Sequence, residues 1–340
     1  MMKPITINVW TVVATALLCV LGCRVEIACG QAASRTFEFK YQFEIPASED
    51  GKTRVWVPVA VETPDQKVEI VSTQFPCEPQ RTKDEKFGNQ IYYFEPDGSA
   101  TKFEIVYRIT RTEVKSLGKT EPQTASPSEA ELRKFLPANK LVPTNGRPIE
   151  LFAEYQETKG WTPKPSTTGK GEQFYQFVYD YMAYDKSKPG YGRGDVMWAC
   201  DSKTGNCTDF HSMFISLARS RKIPAKFEIG FPLPKERGAG KLGGYHCWAK
   251  FYDTAMGWVP VDISEADKTP EMYNYYFGNL SENRVHFSTG RDVNLHPKQQ
   301  SPPLNYFIYP HVEVDGKSLE RKNIKMKSEY RDLEISNETK

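Results

Sequence analysis

The hydrophobic pattern changes its period along this chain, and that change constrains the fold more than any other feature. Between residues 36 and 114, apolar and polar residues alternate in about five short runs, separated by clusters rich in Gly, Pro, Asn and Asp. Alternation with a period of two is typical of β-strands that bury one face. Several short strands at this spacing predict a β-sandwich. We therefore expect an N-terminal β-sandwich domain over residues 35–115.

Helical periodicity appears only in the second half of the chain. Apolar residues from Phe174 to Tyr181 recur at the spacing of one helix face within residues 172–184. A second helix is predicted for the segment CTDFHSMFISLARSRK, which ends before Pro224, and further strand patterns follow it. Helices backed by antiparallel strands predict an α+β architecture for the second domain.

The domain limits follow from local composition. Residues 116–129 are poor in apolar residues and contain two prolines, as is typical of a linker. We predict a linker and connector over residues 116–164, a helix-bearing domain over residues 165–290, and a C-terminal strand extension and tail over residues 291–340.

The first residues have the pattern of an export signal. Lys3 precedes an apolar stretch from about Ile5 to Leu21, after which the chain becomes polar. We predict a signal peptide over residues 1–30 and therefore an exported protein, either secreted or held in the periplasm or cell envelope. The tetrapeptide VLGC resembles a lipoprotein cleavage box, so lipidation of Cys23 would attach the protein to a membrane. Cleavage nearer Gly30 and retention as a single membrane anchor are the alternatives.

Charge and motif content exclude several classes of protein. The chain of 340 residues has 45 Lys and Arg against 43 Asp and Glu, a net charge of +2, so no broad basic surface is expected and nucleic acid is an unfavourable partner. No nucleotide-binding glycine motif follows a strand pattern, and no C-x-x-C pair occurs. An enzyme or a binding protein remains, and the sequence carries no signal for its oligomeric state.

Cys207 is the candidate nucleophile. Asn206 is suited to cap the predicted helix, which puts the cysteine at the positive end of the helix dipole. A thiolate is favoured there, and the thiolate is the reactive form. The alternative is that Cys207 is a small buried apolar residue.

His246 is the candidate base. In the strand pattern GGYHCWAKFYD, alternation puts His246 and Trp248 on one face, and Cys247 and Phe251 on the other, apolar face. We expect His246 to meet the helix that bears Cys207 on the face away from the apolar layer.

Asp262 is the candidate partner of His246. A turn centred near Ala255 pairs residues whose numbers sum to about 510, which makes Asp262 a diagonal cross-strand neighbour of His246. In nucleophilic catalysis the imidazole accepts the thiol proton and the carboxylate fixes its tautomer. The Cys207 backbone N–H and the Trp198 indole N–H are candidate donors to an oxyanion or substrate. Packing alone is the alternative role for Trp198.

Three segments together resemble a known family. The order GNCTDFHSMFISLARSRKIPAKFEIGF, GYHCWAKFY and GWVPVDISEAD is similar to the transglutaminase-like superfamily of papain-type cysteine enzymes, including exported bacterial members with a β-rich N-terminal domain. The resemblance implies a papain-like catalytic domain over residues 165–290, with Cys207 as nucleophile, His246 as base and Asp262 as its orienting partner. His211 departs from the family pattern, in which a small residue is usual.

The expected activity is a thiol-dependent reaction at amide bonds of peptide or protein substrates. Protease or amidase chemistry is favoured over cross-linking, because water is always present as an acceptor. One alternative is a protein-glutamine acyltransferase, a transglutaminase proper. The other is a non-catalytic envelope module with a degenerate papain-like domain. No cofactor or metal is implied.

Other roles remain for neighbouring residues. His211 is either a second candidate base or a buried, hydrogen-bonded side chain. Cys200 and Cys247 are candidates for a disulfide. A metal site that includes both His246 and Cys247 is disfavoured, because adjacent strand residues point to opposite faces. The glycine-rich segment 232–244 is either a solvated loop or a mobile flap.

Overall fold

The computed structural model describes residues 32–48, 51–117 and 126–333. The predicted signal peptide and Cys23 lie outside the described residues. The first part of the chain forms strands only: β1 (Ser34–Ile45), β2 (Thr53–Pro58), β3 (Gln66–Gln74), β4 (Gln80–Lys83), β5 (Gln90–Phe94), β6 (Thr101–Thr112) and β7 (Val114–Lys115).

Helices enter in the second part. They are α1 (Glu129–Arg133), α2 (Arg147–Thr158), α3 (Thr167–Tyr181), α4 (Val196–Ser202), α5 (Cys207–Ser220) and α6 (Ile263–Lys268). The strands of this part are β8 (Ala183–Tyr184), β9 (Thr204–Gly205), β10 (Ala225–Pro232), β11 (Ala239–Lys241), β12 (His246–Asp253), β13 (Gly257–Val261), β14 (Asn279–Leu280), β15 (Arg284–Thr289), β16 (His311–Val314), β17 (Lys317–Ser318) and β18 (Lys325–Asp332). Among the described residues, none of the helices combines the length and apolar character that crossing a membrane requires.

Strands from both ends of the chain build two five-stranded antiparallel sheets. Their strand orders are β11-β18-β1-β6-β3 and β17-β16-β2-β5-β4. The alternation in β1 is realised from Phe37 to Ile45, where every second residue is buried. Phe103 of β6 packs against Phe94 of β5 at a ring separation of 5.1 Å, which joins the two sheets. The sandwich thus includes strands from beyond residue 115, because β16 and β18 pair with β2 and β1.

A third antiparallel sheet carries the second part of the fold, in the order β13-β12-β10-β15. One of its faces is covered by α5, whose Phe214 packs on Phe251 of β12 at 5.8 Å. The sheet also meets β1, where Phe39 lies 5.3 Å from Phe231 of β10 and 5.7 Å from Phe287 of β15. Helices and antiparallel sheets that share one large apolar cluster confirm the α+β class.

Gly230 allows a close approach between two strands. It pairs with His246 on one side and His286 on the other, next to a register shift after Ile229. A Cβ atom at this position would overlap the Val285 carbonyl oxygen, so only glycine fits without backbone movement. Gly230 therefore lets β10 and β15 lie close to each other, while its other side pairs with the first residue of β12.

Two details differ from expectation. The glycine-rich segment 232–244 contains β11, which pairs with β18, and Arg35 donates hydrogen bonds to the Pro234 and Glu236 carbonyls within it. Backbone pairing therefore anchors part of the predicted loop. The predicted linker and connector region contains α1 and α2. The proposed domain limits stay predictions.

Candidate active site

The side chains of Asn206 and Asp209 hold the first turn of α5 in place. Asn206 accepts a hydrogen bond from the Thr208 backbone N–H at 2.8 Å, and Asp209 accepts one from the Asn206 N–H at 2.9 Å. The buried Asp209 carboxylate also accepts the N–H groups of Gly192 and Gly194, at 2.7 and 2.8 Å. These bonds satisfy orphan donors and lock Cys207 at the helix start.

Tyr245 joins this turn to the beginning of β12. Its hydroxyl accepts a hydrogen bond from the Asn206 side-chain amide at 3.1 Å and lies 3.0 Å from Thr208 Oγ1. It also donates to the Gly192 carbonyl at 3.4 Å. Because His246 follows Tyr245 directly, this contact brings the candidate base to the N-terminal end of α5.

His246 and Asp262 form a buried pair. His246 Nε2 lies 2.8 Å from Asp262 Oδ2, and the carboxylate is fully buried. The β12–β13 register pairs Ala249 with Val261, which is the register predicted from the turn. Because Nε2 faces the carboxylate, Nδ1 is the ring nitrogen left to face Cys207.

Arg284 is a second partner of the same carboxylate. Its Nη1 donates to Asp262 Oδ2 at 3.0 Å, and its guanidinium lies 4.8 Å from the Trp248 ring. Asp262 also caps α6 by accepting the Glu265 N–H at 3.3 Å. Burial opposes ionisation, but the charges of His246 and Arg284 hold the pKa of Asp262 below its usual value.

The thiol of Cys207 and the imidazole of His246 favour an ion pair. Burial raises the cost of a thiolate, yet contacts with Cys247 and His246 outweigh it and hold the pKa of Cys207 well below its usual value. Burial likewise opposes the imidazolium, but Asp262 and Cys207 raise the pKa of His246 to about 10. His246 thus lies between Cys207 on one side and Asp262 on the other.

His211 has the buried, hydrogen-bonded environment that was one of its two predicted roles. Its Nε2 accepts the Ile263 backbone N–H at 3.1 Å and lies 3.7 Å from Asp262 Oδ1. Burial lowers the pKa of His211 to about 4, so the ring is neutral near pH 7. A nitrogen that accepts a backbone N–H is not free to act as a base.

A cleft of about 560 Å³ opens beside His246. Its wall includes the aromatic side chains of Tyr275 and Tyr276 and the carboxylates of Glu113, Glu265 and Glu282. Glu265 Oε1 lies 3.9 Å from His246 Nδ1 and is paired with Lys268 Nζ at 2.7 Å.

The structure also shows where the side chains of His246 and Trp198 point. The helix α5 lies on the face of β12 that carries Cys247 and Phe251, so the prediction that His246 meets it on the opposite face is wrong. His246 nevertheless reaches Cys207, because His246 is the first residue of β12 and Cys207 is the first residue of α5. The indole Nε1 of Trp198 faces Gly190, where an added Cβ would lie 2.7 Å from it, and its role as a donor stays a prediction.

The cysteine contacts also differ from the disulfide considered above. Cys77, Cys200, Cys207 and Cys247 are free. The sulfur of Cys247 lies 3.8 Å from Thr208 Oγ1 and 3.7 Å from His211 Nδ1. Cys247 therefore faces the start of α5, and a Cys200–Cys247 bond is absent among the described residues.

Sequence reasoning missed several supporting residues. Arg284 lies in a strand pattern, NRVHFST, that gives no signal of a carboxylate partner. Asp209 stands three residues after Asn206, which is the spacing of a capping box, but its bonds to Gly192 and Gly194 depend on tertiary structure. Tyr245 could be identified only from its position beside His246.

Comparison with known proteins agrees with this geometry. Residues 156–263 match the family model of the transglutaminase-like superfamily. The chain therefore carries a transglutaminase-like core. This region includes Cys207 and His246, and also Asp262 near its end.

Relatives extend over most of the chain. An uncharacterised protein of Haemophilus influenzae is 26% identical over 323 residues, covering 83% of this chain and 86% of its own length. The structure of a candidate cysteine protease from Cytophaga hutchinsonii has the same fold, with a TM-score of 0.52, 14% identity, and coverage of 90% and 94% of the two chains. The periplasmic domain of TgpA from Pseudomonas aeruginosa is 13% identical, with a TM-score of 0.35 and coverage of 72% and 96%.

Proposed function

We propose that this protein is a thiol-dependent enzyme that cleaves amide bonds of peptides or protein side chains through an acyl-enzyme at Cys207. The contact of its thiol with an imidazole that is itself held by a buried carboxylate is the observation that carries this proposal. A low thiol pKa and a raised imidazole pKa are the charge states that nucleophilic attack requires near pH 7.

The reaction follows from these charge states. The Cys207 thiolate attacks the carbonyl carbon, and the C=O electron pair moves to oxygen. When the tetrahedral intermediate collapses, the C–N bond breaks and the imidazolium of His246 gives its proton to the leaving amine. Water, deprotonated by the now neutral imidazole, then attacks the thioester, and the thiolate returns as the acid leaves. Asp262, which also accepts a hydrogen bond from Arg284, holds the imidazole in one orientation throughout.

The oxyanion is the charge that develops during attack. The backbone N–H of Cys207 at the start of α5 is our first candidate donor, since an N-terminal helix N–H has no intrahelical partner. The Trp198 indole N–H is the second candidate donor.

The proposal includes three further parts. Water is preferred to an amine as the acceptor of the acyl group. The substrates are peptides or proteins, and the protein acts in an exported location.

Alkylation of Cys207 by iodoacetamide tests the proposed charge state directly. The labelling rate is measured between about pH 5 and pH 10, with the labelled residue identified by mass spectrometry. We expect a plateau already below about pH 7, whereas an ordinary thiol reacts faster only near pH 8.5. His246→Ala should move the rise toward the alkaline side. His296→Ala is the matched control, because this histidine is exposed and lies outside the site.

Slow labelling that rises only near pH 8.5 in the unmodified protein would instead favour the non-catalytic envelope module.

A separate assay with dimethylated casein and a fluorescent primary amine determines whether water or an amine accepts the acyl group. Cleavage or deamidation without incorporation of the amine supports the hydrolase. Incorporation that is lost in Cys207→Ala would establish the acyltransferase alternative.

A further inference from the structure

A second cavity lies against the central sheet, apart from the cleft beside His246. Its volume is about 220 Å³, and residues of β10, β12 and the turn after β12 line it. Because Cys247 faces α5, the alternation of β12 turns Lys250 to the opposite face of the sheet, where this cavity lies. The lining includes the exposed Thr254, so the cavity reaches the protein surface. Among the described residues, the cavity and the cleft share no lining residue.

Two lysines share one carboxylate in this cavity. Lys226 and Lys250 are directly opposite each other in the β10–β12 register. Lys226 Nζ lies 2.8 Å from Glu228 Oε1, and Lys250 Nζ lies 3.1 Å from Glu228 Oε2. The same Oε2 accepts the Trp248 indole N–H at 2.7 Å. The side chains of Lys226 and Lys250 are only 18% and 11% exposed, so both ammonium groups are largely removed from water.

The second carboxylate of the lining is already matched by another cation. Asp65 Oδ2 lies 2.6 Å from Nη2 of the buried Arg111. The two groups form an ion pair without aligned hydrogen bonds, since Arg111 Nε and Nη2 and Asp65 Oδ2 have no hydrogen-bond partner among the described residues. His286 also lines the cavity, but burial lowers its pKa to about 4, so its ring is neutral near pH 7.

The described charges therefore leave one cation in excess. Arg111, Lys226 and Lys250 stand against Asp65 and Glu228, which is three cations against two carboxylates. Burial lowers the pKa of Lys226, but the Glu228 carboxylate opposes that change. A buried charge without a counter-ion is unfavourable. An ammonium group has three donors and no acceptor, so each lysine retains N–H groups for an acceptor other than Glu228.

The remaining walls of the cavity are largely apolar. Tyr252, Met256, Trp258 and Val114 belong to its lining. Lys226 Nζ lies 4.6 Å from the centroid of the Trp258 ring, so a cation and an aromatic face meet at one place. The volume is below the roughly 300–1,000 Å³ of sites for drug-sized ligands. A small ligand with one anionic end and a short apolar body matches both parts of the cavity.

We propose that this cavity binds a small organic monocarboxylate. Its carboxylate accepts hydrogen bonds from Lys226 and Lys250, and its apolar body lies against Trp258. One negative charge cancels the one excess cation, and hydrogen bonds between charged groups are the strong ones. The site does not depend on the proposed chemistry at Cys207, so its test is a binding measurement.

Isothermal titration calorimetry of the full chain with sodium benzoate tests the proposal. We expect one saturable site per chain in a buffer of low ionic strength. Benzamide has the same ring but no charge and should show no saturable binding. Sodium chloride at the same ionic strength is the control for general screening of charge. Absence of saturable benzoate binding, or equal binding of benzamide, would overturn the proposal.

Lys226→Met determines whether benzoate binds in this cavity. The substitution keeps an unbranched apolar chain and removes the ammonium group. The Kd for benzoate should rise by at least about tenfold, which corresponds to the loss of one hydrogen bond to a charged group. Lys322→Met is the matched control, because it removes an exposed lysine that pairs with Glu320 at 2.6 Å, and it should leave the Kd unchanged. An unchanged Kd in Lys226→Met would show that benzoate binds elsewhere and would overturn the proposal.

Thermal unfolding distinguishes loss of the binding contact from loss of the fold. Without benzoate, Lys226→Met should melt at the same temperature as the unmodified protein or higher, because Glu228 keeps its contact with Lys250 and the excess charge is gone. Benzoate should raise the melting temperature of the unmodified protein and leave that of Lys226→Met unchanged. A clearly lower melting temperature of Lys226→Met without benzoate would contradict the excess charge on which the proposal rests.

Discussion

The carboxylate of Asp262 organises the charges of the site at the residue scale. It is fully buried and contacts His246 Nε2 at 2.8 Å and Arg284 Nη1 at 3.0 Å. A carboxylate buried in this way is stable only because cationic or hydrogen-bonding groups surround it. The same contacts orient the imidazole, so the cost of burying the charge and the geometry of the candidate base are linked.

Replacement of Asp262 by Asn tests this link. The amide has nearly the same shape but no charge, so His246 should lose its imidazolium preference and its fixed tautomer. By analogy with other triads, we expect turnover to fall by roughly 10³- to 10⁴-fold. The Cys207 labelling profile should shift to higher pH. Ser264→Ala, which removes a weaker contact to Asp262 at 3.4 Å, is the control and should change both much less. An unchanged labelling profile in Asp262→Asn would contradict this role.

At the scale of elements, the site depends on how a helix end meets a strand end. Tyr245 provides that connection through Asn206, Thr208 and the Gly192 carbonyl. Elsewhere α5 and β12 meet through apolar packing, such as that of Phe214 with Phe251, and through the contacts of Cys247 with Thr208 and His211. Apolar contacts are not directional. We therefore expect the polar contacts of Tyr245 to help set the relative position of Cys207 and His246.

Tyr245→Phe should lower both the stability of the protein and the reactivity of Cys207. Removal of the hydroxyl leaves buried polar partners unsatisfied, so we expect a loss of about 1–3 kcal/mol in the free energy of unfolding, measured with urea. The rate of Cys207 alkylation near pH 7 should also fall, because the thiol and the imidazole are less firmly held together. Tyr330→Phe, on β18, is a matched control that should leave the alkylation rate unchanged. Equal labelling in both variants would show that Tyr245 does not position the pair.

At the scale of the whole molecule, the last strands complete sheets begun by the first. Both β16 and β18 pair with N-terminal strands, and their Val312, Tyr330 and the adjoining Ile324 are buried. Removal of residues 310–340 would expose the edges of β1 and β2 together with this apolar surface. We expect the shortened protein to be insoluble or to unfold without cooperativity, as measured by solubility and thermal melting. Removal of residues 334–340 alone is the control, and a soluble, normally melting 1–309 chain would contradict the expectation.

Acid sensitivity is a second property of the whole molecule. Burial lowers the pKa of both His211 and His286 to about 4, against about 6.5 in the unfolded chain. Between about pH 4 and pH 6.5 the unfolded state therefore binds more protons than the folded state. The contribution of the two neutral histidines to the free energy of unfolding is present above about pH 6.5 and is lost as the pH falls toward 4. Each histidine accounts for at most about 3 kcal/mol.

Denaturant unfolding between about pH 7 and pH 4 measures this loss. His211→Gln keeps an acceptor that can receive the Ile263 N–H but does not titrate, so its stability should fall less than that of the unmodified protein. If the two proteins lose the same free energy over this interval, His211 is not a source of the acid sensitivity.

The sequence by itself determined the local features of this protein. Alternation in β1 and β6, the cap at Asn206, and the β12–β13 register could all be predicted, since each depends on neighbours in the chain or on the length of one turn. These features were sufficient to identify Cys207, His246 and Asp262 as candidate site residues, whose catalytic roles stay predictions.

Tertiary structure alone decided which faces meet and which distant residues support the site. The alternation in β12 assigns its residues to two faces but does not show which face α5 covers, because a helix can pack on either face of a sheet. Arg284, Tyr245 and Cys247 acquired their contacts only when β15, β12 and α5 came together. Pairing across long stretches of chain depends on packing and shape, and a local pattern does not contain that information.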